Sequence, residues 1–417
     1  MFKKSLATFS SEIIILIVGI GTTIIINRGL GPTNKGYYSF ILLLASTLSM
    51  VFEFGLSTGL SFFSGKKISV SIDKWKTFSL ILTTIFFLLS FLATFFLLSI
   101  SKYSSIYFVV PPLFFVLVSS KFTLGIFLGT LKIKLYNILR VLPIFVEMTL
   151  LLIFLFFKIQ LSPLNVSLVY FSSIFLPFLF SIYFLFPLKF EIPSFTDIVS
   201  LSRYSFLIYL ANLSSFLSYR IDMFLITFFL RPEYLGWYSV AVFIIEKTRL
   251  LSQSTSLINF ALKINTDTKD SFDFTTRVVN SINILLSILV IISAYPAIIL
   301  LYSSAYRESV IPMIILAPAI LASGYSKMLS SELSADGIVH IQLFSSLFCL
   351  LINVALNLYF IPKLKIVGAS ISSLVSYSIN AIILVLFFLK HYKKSIKGLL
   401  LVKREDLIRI KYNLKKI

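Results

Sequence analysis

The chain has little with which to do covalent chemistry. Of its 417 residues one is cysteine and two are histidine. Cys349 alone excludes an internal disulfide. His340 and His391 are too few and too isolated to form a metal site and read as helix-end residues. No Walker pattern is present, so direct ATP hydrolysis is not expected. Charge of any kind is scarce at 13% of residues, and acidic residues number 17 against 37 basic ones. Polar connections are short, and none is long enough to fold into a domain. These absences argue against a soluble catalyst, and no cofactor or metal is expected.

Hydrocarbon fills the chain instead. It is 58% hydrophobic with a mean hydropathy of +0.98. A soluble protein of this length could not hide that much apolar surface, so lipid must be the solvent. Apolar stretches of about 20 residues recur, each sufficient to cross the hydrocarbon core as a helix. The short alternating segments of a β-barrel are missing. Twelve spans are expected, at 9–27, 37–63, 78–100, 106–130, 136–157, 166–187, 204–229, 236–262, 282–302, 309–330, 340–361 and 367–390. The first follows Lys3 and Lys4 and is too long for a signal-peptide core. The 44 phenylalanines are core and lipid-facing bulk.

The formal charge of +20 raises the question of nucleic acid. Its distribution answers it differently, and no nucleic-acid partner is expected. With the N-terminus in the cytoplasm, 23 basic residues fall in inner loops and the tail, against eight in outer loops. That bias places both termini inside. The basic tail at 391–417 suits anionic membrane lipid, or a polysaccharide-assembly partner protein.

Internal duplication organises the spans. Leu30-Gly31-Pro32-Thr33-Asn34-Lys35-Gly36-Tyr37-Tyr38-Ser39 is matched 200 residues later by Leu230-Arg231-Pro232-Glu233-Tyr234-Leu235-Gly236-Trp237-Tyr238-Ser239, and Pro112 is matched by Pro312. The widest gaps, near 188–203 and 263–281, contain Pro193 and three aspartates. The first gap divides the chain into bundles 1–195 and 196–390. With six spans each, both enter the membrane the same way. The expected fold is therefore all-α and polytopic, two six-helix bundles related by a pseudo-two-fold along the membrane normal with a cavity between them. Such duplication around a central site points to a transporter. Pro111, Pro112, Pro143, Pro177, Pro296, Pro312 and Pro318 are candidate bends.

Ionisable groups inside spans cost at least about 2.5–3.5 kcal/mol each, so they face a bundle interior or water. They are Glu53, Lys121, Arg140, Glu147, Arg220, Asp222, Glu246, Lys247, Arg249 and Lys327. Glu246 and Arg249, three apart, share a helix face, while Lys247 points about 100° away. Arg220 and Asp222, two apart, do not pair along one helix. Lys121–Glu147 and Glu246–Arg249 are candidate buried ion pairs. Alternatively, Arg28, Lys121, Arg220, Lys247, Arg249 and Lys327 line a cationic pathway for phosphate or acidic sugar. Glu53, Glu147, Asp222 and Glu246 are then candidates for ion coupling. Tyr209, Asn212, Ser215, Tyr219 and Asn259 are candidates for sugar contacts or interhelical hydrogen bonds.

Several of these segments resemble a known family. Leu30-Gly-Pro-x-x-x-Gly-Tyr-Tyr and Phe54-Gly-Leu-Ser-Thr-Gly-Leu are similar to the Wzx-type polysaccharide flippases. So are Asn353-Val-Ala-Leu-Asn357-Leu-Tyr-Phe-Ile361-Pro362 and Gly368-Ala369-Ser370-Ile371-Ser372, and the stretch from Asp222 through Tyr238 to Glu246-Lys247. These O-antigen and capsule-repeat translocases belong to the multidrug/oligosaccharidyl-lipid/polysaccharide exporter superfamily. Pro362 is expected to end a span and the small residues to permit close packing. The resemblance covers residues 1–390. It implies alternating access and an undecaprenyl-diphosphate-linked oligosaccharide moved to the outer leaflet of a bacterial inner membrane. A cation-coupled multidrug exporter of the same fold is the alternative, though it would favour an acidic cavity. A membrane polymerase or ligase would need a larger outer loop.

Overall fold

A computed structural model describes residues 2–65, 71–100, 105–250, 252–256, 270–395, 401–403 and 405–406; these contain no β-strand. The helices are α1 (Phe2–Phe52), α2 (Leu56–Gly65), α3 (Ile72–Ile100), α4 (Val110–Gly129), α5 (Ile133–Phe156) and α6 (Pro163–Tyr183). They continue as α7 (Phe195–Phe229), α8 (Pro232–Thr248), α9 (Asp270–Tyr302), α10 (Val310–Leu316), α11 (Ala319–Ala335) and α12 (Val339–Tyr392). Asn259 and most of the basic tail lie outside the described residues.

Seven helical stretches among the described residues are long and apolar enough to cross a bilayer, or eight if the bent pair Ser304–Leu316 and Ala319–Ala335 is one span. Two of the seven, Ser11–Phe52 and His340–Tyr392, hold 42 and 53 residues. As straight helices they would run about 63 and 80 Å, against a hydrocarbon core of about 30 Å. Each is broken near its middle. Gly31 takes φ 69° and ψ 171°, and Lys365 takes φ 53° and ψ −133°. The α12 arms run back along each other from Lys365: the Ser376 hydroxyl donates to the Cys349 carbonyl at 2.8 Å. A Cβ on Gly368 would collide with the Phe360 backbone. Pro362 thus lies inside the helix, and the turn expected there falls three residues later. α7 and α8 are not among the seven. α7 carries Arg220, Asp222 and several serines, and α8 has 17 residues.

Helices also reach into the expected linkers. α7 begins at Phe195, where Ser194 and Asp197 exchange side-chain-to-backbone hydrogen bonds at 3.0 and 3.2 Å, a reciprocal cap. α9 begins at Asp270. The proline sites divide by effect. Pro318 stands at a 50° bend between α10 and α11, Pro111 and Pro112 open α4, and Pro143, Pro177 and Pro296 sit inside helices.

The 200-residue duplication reappears as matching structure. Pro32 follows the α1 break and Pro232 opens α8. The 3₁₀ turns Ser105–Val109 and Ser304–Ser309 lead into α4 and α10, whose first turns hold Pro112 and Pro312.

The chain divides into compact units Met1–Leu213 and Ser214–Ile417, the division falling within α7. The first is packed around Trp75, Phe114, Phe122 and Phe127, and part of the second around Phe272, Leu329, Leu333 and Phe388. Lipid tails are as apolar as these side chains, so close packing rather than water exclusion holds such helices together. Glycines supply that closeness between α2 and α4. A Cβ on Gly125 would stand 2.5 Å from the Ser57 carbonyl oxygen, and one on Gly65 would stand 2.8 Å from that of Gly129.

Candidate functional site

In the second unit, α7 and α8 bring a charged cluster together. Arg220 Nη1 lies 3.1 Å from Glu246 Oε1, and Nη2 donates to Glu246 Oε2 at 3.2 Å. This two-point contact uses the fixed fork of the guanidinium. Glu246 is shared: its Oε1 is also 3.6 Å from Arg249 Nη2. Arg249 caps the end of α8, and its guanidinium lies 4.3 Å over the Tyr219 ring. Tyr219 in turn meets the Tyr377 ring edge-on at 5.0 Å. Lys327 of α11 is exposed and within electrostatic reach of Arg249. The side chains of Arg220, Glu246 and Arg249 keep 26%, 26% and 18% exposure, so the cluster is open rather than sealed.

Asp222 faces elsewhere, as two residues on one helix must. It is 1% exposed. It accepts from the Tyr238 hydroxyl at 2.5 Å, the Ser373 hydroxyl at 2.8 Å and the Met223 N–H at 2.7 Å. These donors tie α7 to α8 and α12 and leave Glu246 as the carboxylate that answers the arginines.

The first unit has a second charged site, built on a helix break. Glu53 sits in the turn joining α1 to α2, where Phe54 and Gly55 take φ 48° and 69°. Lys121 of α4 reaches Glu53 Oε2 at 2.7 Å, and Ser57 donates to Oε1. The Tyr209 hydroxyl donates to the Val51 carbonyl at 2.8 Å beside them. The Glu53 side chain is 10% exposed and that of Lys121 36%. The expected Lys121–Glu147 pair is therefore corrected: Lys121 is bound to Glu53. Buried Glu147 lies instead within electrostatic reach of Lys35 and Tyr38. Tyr38 and Tyr238, equivalent in the repeat, thus each have a buried carboxylate within electrostatic reach.

The remaining sequence candidates are scattered. Arg28 is exposed on α1, and Lys247 lies 5.1 Å over the Phe243 ring. Arg140 pairs with Glu12 at 2.5 Å. Asn212 is exposed, whereas Tyr209 makes an interhelical hydrogen bond. Reasoning from sequence missed Glu12, Lys35, Ser57, Ser373 and Tyr377. Lys35, like Tyr38 and Tyr238, carried a signal in its place in the duplicated frame, and Ser57 in the motif that begins at Phe54. His340 and His391 stand at the two ends of α12, as expected.

This arrangement of long, broken apolar helices is a fold shared with solved structures. A multidrug resistance MATE family transporter of the MOP superfamily, in an inward-facing conformation, superposes with a TM-score of 0.74 at 15% identity, over 93% of this chain and 98% of the other. The lipid II flippase MurJ, inward closed, gives 0.73 at 16% identity over 96% and 89%. A MOP superfamily transporter from Pyrococcus furiosus, described by the reversed polarity of its binding pocket, gives 0.65 at 15% identity over 94% and 97%. No protein of curated function matches the sequence. The polysaccharide biosynthesis protein family matches residues 1–262, and the chain belongs to that family.

Proposed function

We propose that the protein is a flippase for a polyprenyl-diphosphate-linked oligosaccharide repeat unit, of the O-antigen or capsule type, in a bacterial inner membrane. Twelve spans in two halves, 1–195 and 196–390, alternate access, with both termini cytoplasmic. The observation that carries the reading is the partly exposed cluster in which Arg220 and Arg249 share the Glu246 carboxylate, with Lys327 within electrostatic reach of Arg249. Two arginines on one carboxylate, with Lys327 near Arg249, leave positive charge for a diphosphate. Arg249 is the best placed, because Glu246 keeps its stronger contact with Arg220. Tyr219 and Tyr377 beside it offer stacking faces and hydroxyls to sugar. Glu53, held by Lys121 and Ser57 at a helix break, is the coupling carboxylate, and its contact with Lys121 opens as access changes. The family membership supports a polysaccharide pathway, and the lipid II flippase shows the same fold handling a lipid-linked substrate.

The test is translocation of undecaprenyl-diphosphate oligosaccharide in proteoliposomes. Wild type transfers the glycolipid. Arg249→Ala slows transfer by about tenfold or more, the worth of one charge-assisted hydrogen bond, while its unfolding temperature stays near that of wild type. Failure to move several such glycolipids, together with efflux of a cationic dye, would replace this reading with a drug exporter.

A further inference from the structure

The α4–α5 turn borders a feature that plays no part in the charged sites. A groove of about 940 Å³ runs between the start of α1 and one face of α5, at the upper end of the range of about 300–1,000 Å³ typical of small-molecule pockets. Ile138, Val141 and Phe145 recur at helical spacing to form its floor, and Ile14 of α1 forms a wall. Ile14, Ile138 and Phe145 are 40%, 43% and 46% exposed, so the trough is open along its length.

At the α5 end of this apolar trough stand Lys132 and Lys134, both exposed, which among the described residues are the only charged groups in its lining. No acidic residue lies in the first turn of α5, and Lys132 makes no side-chain capping bond there. A wholly apolar ligand would leave two lysines unanswered, and a small anion would leave the trough unfilled. The lining matches a molecule with negative charge at one end and hydrocarbon along the rest. Apart from the lysines, its polar side chains are Ser11 and Asn137. That suits a compact phosphate head group and offers little to a string of sugars.

We propose that this groove is a binding site for an anionic phospholipid. Its phosphate rests on Lys132 and Lys134, and one acyl chain lies along Ile138, Val141 and Phe145. Basic pockets at helix ends hold acidic lipids through this combination of charge and apolar contact. The site is independent of the flippase reading, since it uses none of the residues assigned to substrate or coupling.

Native mass spectrometry of the full-length protein tests it, with dioleoyl phosphatidylglycerol, dioleoyl phosphatidylcholine and undecaprenyl phosphate as separate probes. Phosphatidylglycerol is expected to be retained in clear preference to both others. Lys132→Gln with Lys134→Gln weakens that retention about 25-fold, at about fivefold per lysine. Val141→Trp, which keeps the lysines and fills the trough, weakens it as well. Equal retention of phosphatidylcholine, unchanged phosphatidylglycerol binding in either variant, or preferred retention of undecaprenyl phosphate would overturn the proposal. Transport assays do not enter the test, so its failure says nothing about flipping.

Discussion

Asp222 accepts three hydrogen bonds at a position that water barely reaches, so each donor offsets part of the cost of holding a carboxyl group there. Tyr238→Phe removes one hydroxyl without opening a cavity and is expected to lower stability by about 1–3 kcal/mol, read from thermal unfolding in detergent. Glu53 and Lys121 present a different balance, because Lys121 remains partly exposed and is screened. A double-mutant cycle of Glu53→Gln and Lys121→Met should return a coupling of about 0.5–3 kcal/mol. A coupling near zero would mean that the pair does not hold α4 to the α1–α2 break. That intramembrane charges would be important was legible from the sequence, because hydrocarbon makes them costly. Their partners were legible only within one helix, as for Glu246 and Arg249. Lys121 and Glu53 are 68 positions apart, and spacing along the chain does not say which helices are neighbours. The sequence offered Glu147 as well as Glu53 among the intramembrane carboxylates, and spacing alone cannot choose between the two.

Among the elements, glycine has two separate uses. At Gly125 the backbone is helical and the constraint is space, since a Cβ would press on the Ser57 carbonyl of α2. Gly125→Ala should cost about 1–3 kcal/mol, as overpacking does. At Gly31 nothing lies within 4 Å of the added atom, but φ is +69°. Gly31→Ala should therefore cost about 1–3 kcal/mol through backbone conformation alone. Thermal unfolding of the two variants in one detergent measures both. The junctions at Pro32 and Pro232 could be read directly, because a repeated Leu-x-Pro frame marks the same connection twice, although the spans expected after them, from 37 and 236, begin later than the helical backbone does. The break at Lys365 could not. Lysine carries no preference for φ above zero, and Pro362 nearby gave the stronger but misplaced signal. The 50° bend at Pro318 was one of seven proline candidates that looked alike in sequence; neighbouring helices decide which of them bend.

For the molecule as a whole, the described part of the tail is fastened rather than trailing. Asp406 takes two hydrogen bonds from Arg277 of α9, both at 2.7 Å, and the Val402 N–H donates to the Ser281 hydroxyl at 3.1 Å. The Arg277 contacts hold the Asp406 carboxyl below its ordinary range. A carboxylate lowered in the folded state adds stability above its unfolded value of about 3.9, and that stability fades as pH falls through the lowered value. Proteolysis of the tail should thus be slow near neutral pH and quicken below about pH 4. In Arg277→Gln it should be fast at every pH, with the acid dependence largely removed. The hairpin of α12 bears on how the chain is made. Its arms meet at one non-helical residue, so no hydrophilic stretch lies between them to be translocated separately. Residues 339–364 and 366–392 must leave the insertion machinery together, as one folded-back unit, late in synthesis. A ribosome stalled with only the first arm emerged would leave Asn353 and Asn357 without the second arm, whose Ser376 anchors to the Cys349 carbonyl, and the half-made chain would be a substrate for membrane quality control.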